Sequence, residues 1–172
     1  MANFKDIISD VVTNVRTDYD TVNTPVVFPV YDYGHSKNVA NRIMERVKSN
    51  TYKGKILPMI ALITNPDDII EGVSDINYTA SGFSIFILNE RLKTWTEEQA
   101  YDNNFDTVLT PIYNLLIKYL KRSSYIDGSS VDTGQRINRP YLGSLGANAN
   151  PFNIAIDAIE IRNLNLEILK KC

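Results

Sequence analysis

The chain has 172 residues, 44% of them hydrophobic and 22% charged, which is enough apolar material for one core of ordinary size and too little length for two independent domains. A formal net charge of −2 and a sequence pI near 5.4 exclude the overall basic surplus typical of a nucleic-acid binder. The one cysteine, Cys172, excludes internal disulfides and cysteine-based metal clusters, and no apolar run approaches the ~20 residues of a bilayer span.

Residues 1–6 carry an early acid and no apolar stretch of signal-peptide type, so export by that route is not expected. Phe4, Ile7, Ile8, Val11, Val12 and Val15 then recur at helical spacing, with Lys5, Asp6, Asp10, Asn14 and Arg16 opposite. This predicts an amphipathic helix over residues 3–19 whose apolar face packs on the core, with docking on a neighbouring subunit as the alternative. Residues 25–31 are rich in β-branched and aromatic types and predict a strand; Pro29 lacks a backbone donor and puts that strand at an edge, or bulges it.

Ser36 is placed to cap a helix running to about residue 48, with Val39, Ile43 and Val47 inward and Arg42, Glu45, Arg46 and Lys48 outward. The only histidine, His35, lies at the strand-to-helix turn between Gly34 and Ser36. With no partner acid or nucleophile in sequence reach, it reads as a turn-stabilising or surface residue rather than a catalytic one. Arg42, Arg46, Lys48, Lys53 and Lys55, helped by Tyr52, make the one local basic cluster, which is either a solvated helix face and loop or a surface lining a DNA channel.

Residues 55–64 form a continuous apolar run of strand length and predict a strand inside the sheet. Asn65-Pro66-Asp67-Asp68 is a turn signal. The acids through Glu71 and Asp75 lack the alternation and the glycine of a calcium loop, so no metal site is expected. Residues 76–88 predict one long strand whose parity slips at Gly82, as at a β-bulge. Asn89-Glu90-Arg91 ends it, and Thr94 or Thr96 caps a short helical turn that Asn103 and Asn104 break.

The clearest element covers residues 105–120, where Phe105, Val108, Leu109, Ile112, Tyr113, Leu116, Tyr119 and Leu120 share one helical face. Pro111 inside it means either a kink or a boundary with Thr110 as N-cap. Lys118, Lys121 and Arg122 suit the negative end of the helix dipole. Residues 126–152 then become rich in Gly, Ser, Asn and Pro, a long segment without apolar periodicity. The readings are a disordered loop, a hairpin with strands around residues 135–142, or an arm ordered by a partner, for which Arg136, Arg139, Tyr141, Leu142 and Leu145 are the sticking surface. Gly143-Ser144-Leu145-Gly146 has no following lysine and is no phosphate loop. Residues 154–169 predict a strand pair or one bulged strand slipping at Arg162-Asn163, with Asp157 and Glu160 as polar residues of an exposed sheet face.

The order helix, strand, helix, two strands, helix, arm and terminal strands predicts a single α+β domain over residues 1–172, a mixed or antiparallel sheet covered by two or three helices. Tyr33-Gly34-His35, Leu57-Pro58-Met59-Ile60-Ala61-Leu62, Asn89-Glu90-Arg91, Phe105 with Leu109-Thr110-Pro111-Ile112-Tyr113, and Asp157-Ala158-Ile159-Glu160-Ile161 together resemble the small neck and tail-completion proteins of tailed bacteriophages with the tail-terminator fold, especially those of phages of gut Bacteroidetes. The resemblance implies a structural, non-enzymatic virion protein. It would form a homo-oligomeric ring of six or twelve copies between portal side and tail and contact neighbouring neck, adaptor and tail proteins. DNA would pass through its channel, and it would need no cofactor, metal or membrane. Two alternatives from other classes are a small nucleic-acid-binding module and a small hydrolase using Asp32, His35 and one of Asp67, Asp68 or Asp75, although one histidine leaves the latter without an assembled nucleophile and base.

Overall fold

A computed structural model describes residues 3–23, 30–48, 57–64, 70–71, 77–92, 94–142 and 155–169. In chain order these form α1 (Phe4–Asn23), β1 (Val30–Gly34), α2 (Ser36–Lys48), β2 (Met59–Thr64), β3 (Ile70–Glu71), β4 (Asn77–Ala80) and β5 (Phe83–Arg91). A continuous helical stretch follows, made of α3 (Glu97–Ala100), a π-helical segment (Tyr101–Leu109) and α4 (Thr110–Arg122). A 3₁₀ helix (Gly128–Thr133), β6 (Gln135–Arg139), β7 (Ala155–Arg162) and β8 (Leu166–Leu169) complete the described chain.

The fold is α+β. A five-stranded mixed sheet has the order β1-β2-β5-β7-β6, parallel only between β1 and β2, and a three-stranded antiparallel sheet has the order β3-β4-β8. β2 lies between two neighbours, as its unbroken apolar run requires, and β1 is an edge strand; Pro29 and residues 25–28 lie outside the described residues. The long strand expected over residues 76–88 is instead two strands in different sheets, broken where Gly82 takes φ +77°. The terminal stretch breaks in the same way at Asn163, φ +54°. Because β4 pairs with β8 and β5 with β7, the two breaks make one corner at which a strand pair leaves one sheet for the other. Asn89, Glu90 and Arg91 belong to β5 rather than ending it, and Ile70–Glu71, read as part of an acidic turn, adds a short edge strand.

One face of the large sheet carries Ile60, Leu62, Ile85, Ile87, Ile159 and Ile161 and packs under α1 and α4 through Ile7, Ile8, Val11, Val15, Phe105, Leu109, Ile112, Leu116 and Leu120. The other face carries Met59, Ala61, Leu88, Ile156 and Ala158 and, among the described residues, meets α2 through Val39 and Ile43, with Leu57 and Leu142 beside them. Lys118 Nζ bridges to Asp18 at 2.7 Å and ties the two helices of the covered face.

Pro111 neither caps nor ends the central helix. Thr110 is helical (φ −69°, ψ −42°), and its N–H donates five residues back to the Phe105 carbonyl. The hydrogen-bond register thus changes from π to α beside a position where proline supplies no donor. The buried positions follow the change: Ala100, then Asn104 and Phe105, then Leu109 at the wider π spacing, then Ile112, Leu116 and Leu120 at α spacing. Asn103 and Asn104 lie within the helix and do not break it. Thr96 caps it with a reciprocal box to Gln99.

Much of the expected arm belongs to the domain. Ile126 bridges to Ile168, Asp127 caps the 3₁₀ helix by accepting from the Ser129 N–H, Val131 is buried, and β6 pairs with β7 over its whole length. Two apolar side chains, Ile126 and Val131, are buried in the core and anchor a segment whose composition hides them. Residues 143–154, Leu145 among them, lie outside the described residues.

Candidate functional site

The alternation of β7 decides where its acids go. Asp157 shares parity with Ile159 and Ile161 and so falls on the helix-covered face, where it has no accessible surface. Around it, Asn104 Nδ2 donates to Asp157 Oδ2 at 2.9 Å and to the Glu90 carbonyl at 3.2 Å, and Asn89 Nδ2 donates to Asn104 Oδ1 at 2.7 Å. The Tyr141 N–H donates to Asp157 Oδ1 at 3.1 Å, and Arg91 Nη1 stands 3.5 Å from the same oxygen. Arg91 Nη2 donates to the Trp95 and Thr96 carbonyls, and its guanidinium lies 3.8 Å from the centroid of the Tyr141 ring. Tyr141 holds φ +54° to make these contacts. This is a structural lock: an acid sealed from water and fixed by an arginine, an amide and a backbone donor has no route for proton transfer with a substrate.

On the opposite face, one row of cross-strand neighbours runs through all five strands: Asp32, Ala61, Phe86, Glu160 and Ile137. Both acids in the row are bracketed by arginines. Arg42 forms a two-pronged contact with Asp32 (Nη2 to Oδ1 2.7 Å, Nε to Oδ2 2.9 Å), and Arg46 stands 4.0 Å away. Glu160, with a side chain 5% exposed, accepts from Arg139 Nε at 2.7 Å and from Arg162 Nε. At a strand spacing of ~4.8 Å the two acids stand about 14 Å apart. Between them lies an open apolar groove of about 250 Å³ lined by Val39, Ala40, Ile43, Ala61, Ile63, Phe86, Leu88 and Leu142. The four arginine side chains at its rims are each 30–47% exposed. Each cluster of two arginines and one acid leaves a net charge of +1.

The residues expected to act as a subunit surface have partners inside the chain. Arg136 Nη2 donates to Thr110 Oγ1 at 2.8 Å and its guanidinium lies over the Tyr113 ring, so it pins β6 to α4. Arg139 holds Glu160, Tyr141 covers Arg91, and the Leu142 N–H donates to the Ile156 carbonyl at 2.7 Å while its side chain walls the groove. Of the basic cluster, Arg42 and Arg46 converge on Asp32; Lys53 and Lys55 and the side chain of Lys48 lie outside the described residues.

For the hydrolase alternative, Asp32 is committed to Arg42, and His35 Nδ1 accepts from the Lys37 N–H at 3.3 Å. His35, not Ser36, therefore caps α2, in keeping with a turn-stabilising role. Asp67, Asp68 and Asp75 lie outside the described residues, among which no group of three His, Cys, Asp or Glu could hold a metal ion.

Asp157 and Glu160 are buried, contrary to the expectation of an exposed polar face. The signal was present: each sits at a fixed parity between apolar neighbours on a strand buried on both sides. Asn104 was signalled by its place four residues after Ala100 on the apolar stripe. A scan of protein-family models and a search of curated proteins find no match to this chain.

Proposed function

We propose that this chain is a structural virion protein that forms a homo-oligomeric ring in the head-to-tail neck of a tailed phage, joining the portal side to the tail. The observation that carries the reading is the asymmetry of the large sheet. One face is closed by two helices, whereas the other exposes an apolar groove rimmed by Arg42, Arg46, Arg139 and Arg162. An apolar sheet face left open with charged rims has the anatomy of a protein contact. Among the described residues, Asp32, Asp157 and Glu160 are each tied to an arginine, which supports a contact surface over a reacting one. The sequence resemblance to tail-terminator-like neck proteins supports the same reading and supplies the location.

Native mass spectrometry of the purified chain, together with negative-stain images of virions labelled on this protein, tests the proposal. A multi-protomer species and label at the neck are expected. A chain that stays monomeric and is absent from particles overturns it.

A further inference from the structure

The groove has a complementary surface on the same molecule. Residues 97–117 contain four acids, Glu97, Glu98, Asp102 and Asp106, and no lysine or arginine. All four are exposed, and among the described residues none of them forms an ion pair. They are carried by α3 and the π-helical segment, whose inward residues Asn104, Phe105 and Leu109 pack on the covered face of the sheet. The acidic ridge therefore looks outward from the helical layer, while the arginine-rimmed groove opens on the opposite side of the sheet. Half-buried Tyr101 and Val108 in the same segment supply apolar surface among the carboxylates.

We propose that copies of this chain associate head to tail, the acidic ridge Glu97–Asp106 of one copy seating on the apolar groove and the four rim arginines of the next. Two different patches on opposite sides of one subunit make a heterologous contact, the type that generates rings when the rotation between neighbours closes. Charge complementarity fixes the pairing: a −4 ridge meets two clusters of +1 each, and Glu45 and Lys37 on the exposed side of α2 offset one another. The groove floor supplies the dry centre and the arginines the polar rim. This inference rests on the ring reading and names the surfaces that would build it.

The test uses two kinds of variant. Asp102→Lys with Asp106→Lys reverses the ridge at exposed positions; Ala40→Glu places a carboxylate in the groove, and Arg46→Glu is a second acceptor variant at the rim. By native mass spectrometry each variant alone is expected at the mass of one protomer, while the unaltered chain forms larger species that shrink with added salt. An equimolar mixture of the ridge variant and a groove variant is expected to recover species of two or more protomers, because one intact ridge and one intact groove remain and the reversed charges complement one another. Thermal melts confirm that each variant is folded. If the unaltered chain assembles and the ridge or the groove variants assemble equally well, this contact is overturned and the ring reading stands. If the unaltered chain never assembles, this contact falls, and the ring reading falls with it when the chain is also absent from particles.

Discussion

Asn104, on the π-helical segment, donates to Asp157 on β7 at 2.9 Å across 53 residues of sequence, and neither residue has accessible surface. The contact fixes the rotation of the central helix over the sheet. In a straight α-helix with Leu109, Ile112 and Leu116 held inward, the residue at position 104 would be turned away from the stripe that Phe105 continues. The wider π turns bring Asn104 and Phe105 inward together.

Removing Asp157 leaves the Arg91 charge buried beside two carbonyls. Asp157→Ala is expected to lower the unfolding free energy by about 3–5 kcal/mol, and Asn104→Ala by about 1–3 kcal/mol. Arg91→Leu combined with Asp157→Leu should lose less than the sum of the two single changes, because neither charge is then stranded. Urea unfolding of the set measures this; additive losses would mean that the pair is not coupled.

The sheet corner depends on two left-handed residues. Gly82→Val is expected to cost about 1–2 kcal/mol, because a β-branched side chain is strained at φ +77°. Asn163→Gly, at φ +54°, should be close to neutral. Comparing the two melting temperatures checks the assignment, and equal effects would argue against a break at Gly82.

His35 caps α2 with a ring nitrogen. His35→Ala should cost about 1 kcal/mol, and His35→Asn, a good N-cap residue, should recover most of it. Denaturant midpoints decide between this and a surface histidine, for which both changes would be silent.

The segment 126–139 should be ordered in the isolated chain. The amides of β6 that bond to β7 are expected to be protected from exchange, and Val131→Ala should destabilise by about 2 kcal/mol. Fast exchange throughout β6 in the monomer would return this segment to an arm that folds only on assembly.

Asp127 provides a pH signature. Hydrogen bonds from the Ser129 hydroxyl and N–H hold its carboxyl below the usual carboxylate range. A depressed folded value means stabilisation that is fully present above the unfolded value of about 3.9 and lost as pH falls through the folded one. Asp127→Asn should therefore melt below the unaltered chain at pH 6, with the difference shrinking on acidification below pH 4. A difference that grows in acid would reverse the sign and reject the cap.

Periodicity alone determined the elements with one dominant period. The stripe from Phe4 to Val15, the faces of α2, the interior run of β2 and the stripe around Leu109, Ile112 and Leu116 were legible because burial on a single face writes itself into spacing. The cap was legible as Thr94 or Thr96 for the same local reason, and the structure places the box at Thr96. What the tertiary structure decided was everything that two distant segments settle between them. Gly82 and Asn163 each show a parity slip in sequence, and only the pairing of β4 with β8 and β5 with β7 makes the slips a corner between sheets. Asp157 and Glu160 are polar letters in a strand, and only the surrounding layers distinguish a solvated face from a sealed lock and an arginine-bracketed rim. β6 has no period of its own, since its place is set by the edge of β7 that it covers, and an edge is a property of the sheet and not of the residues that complete it.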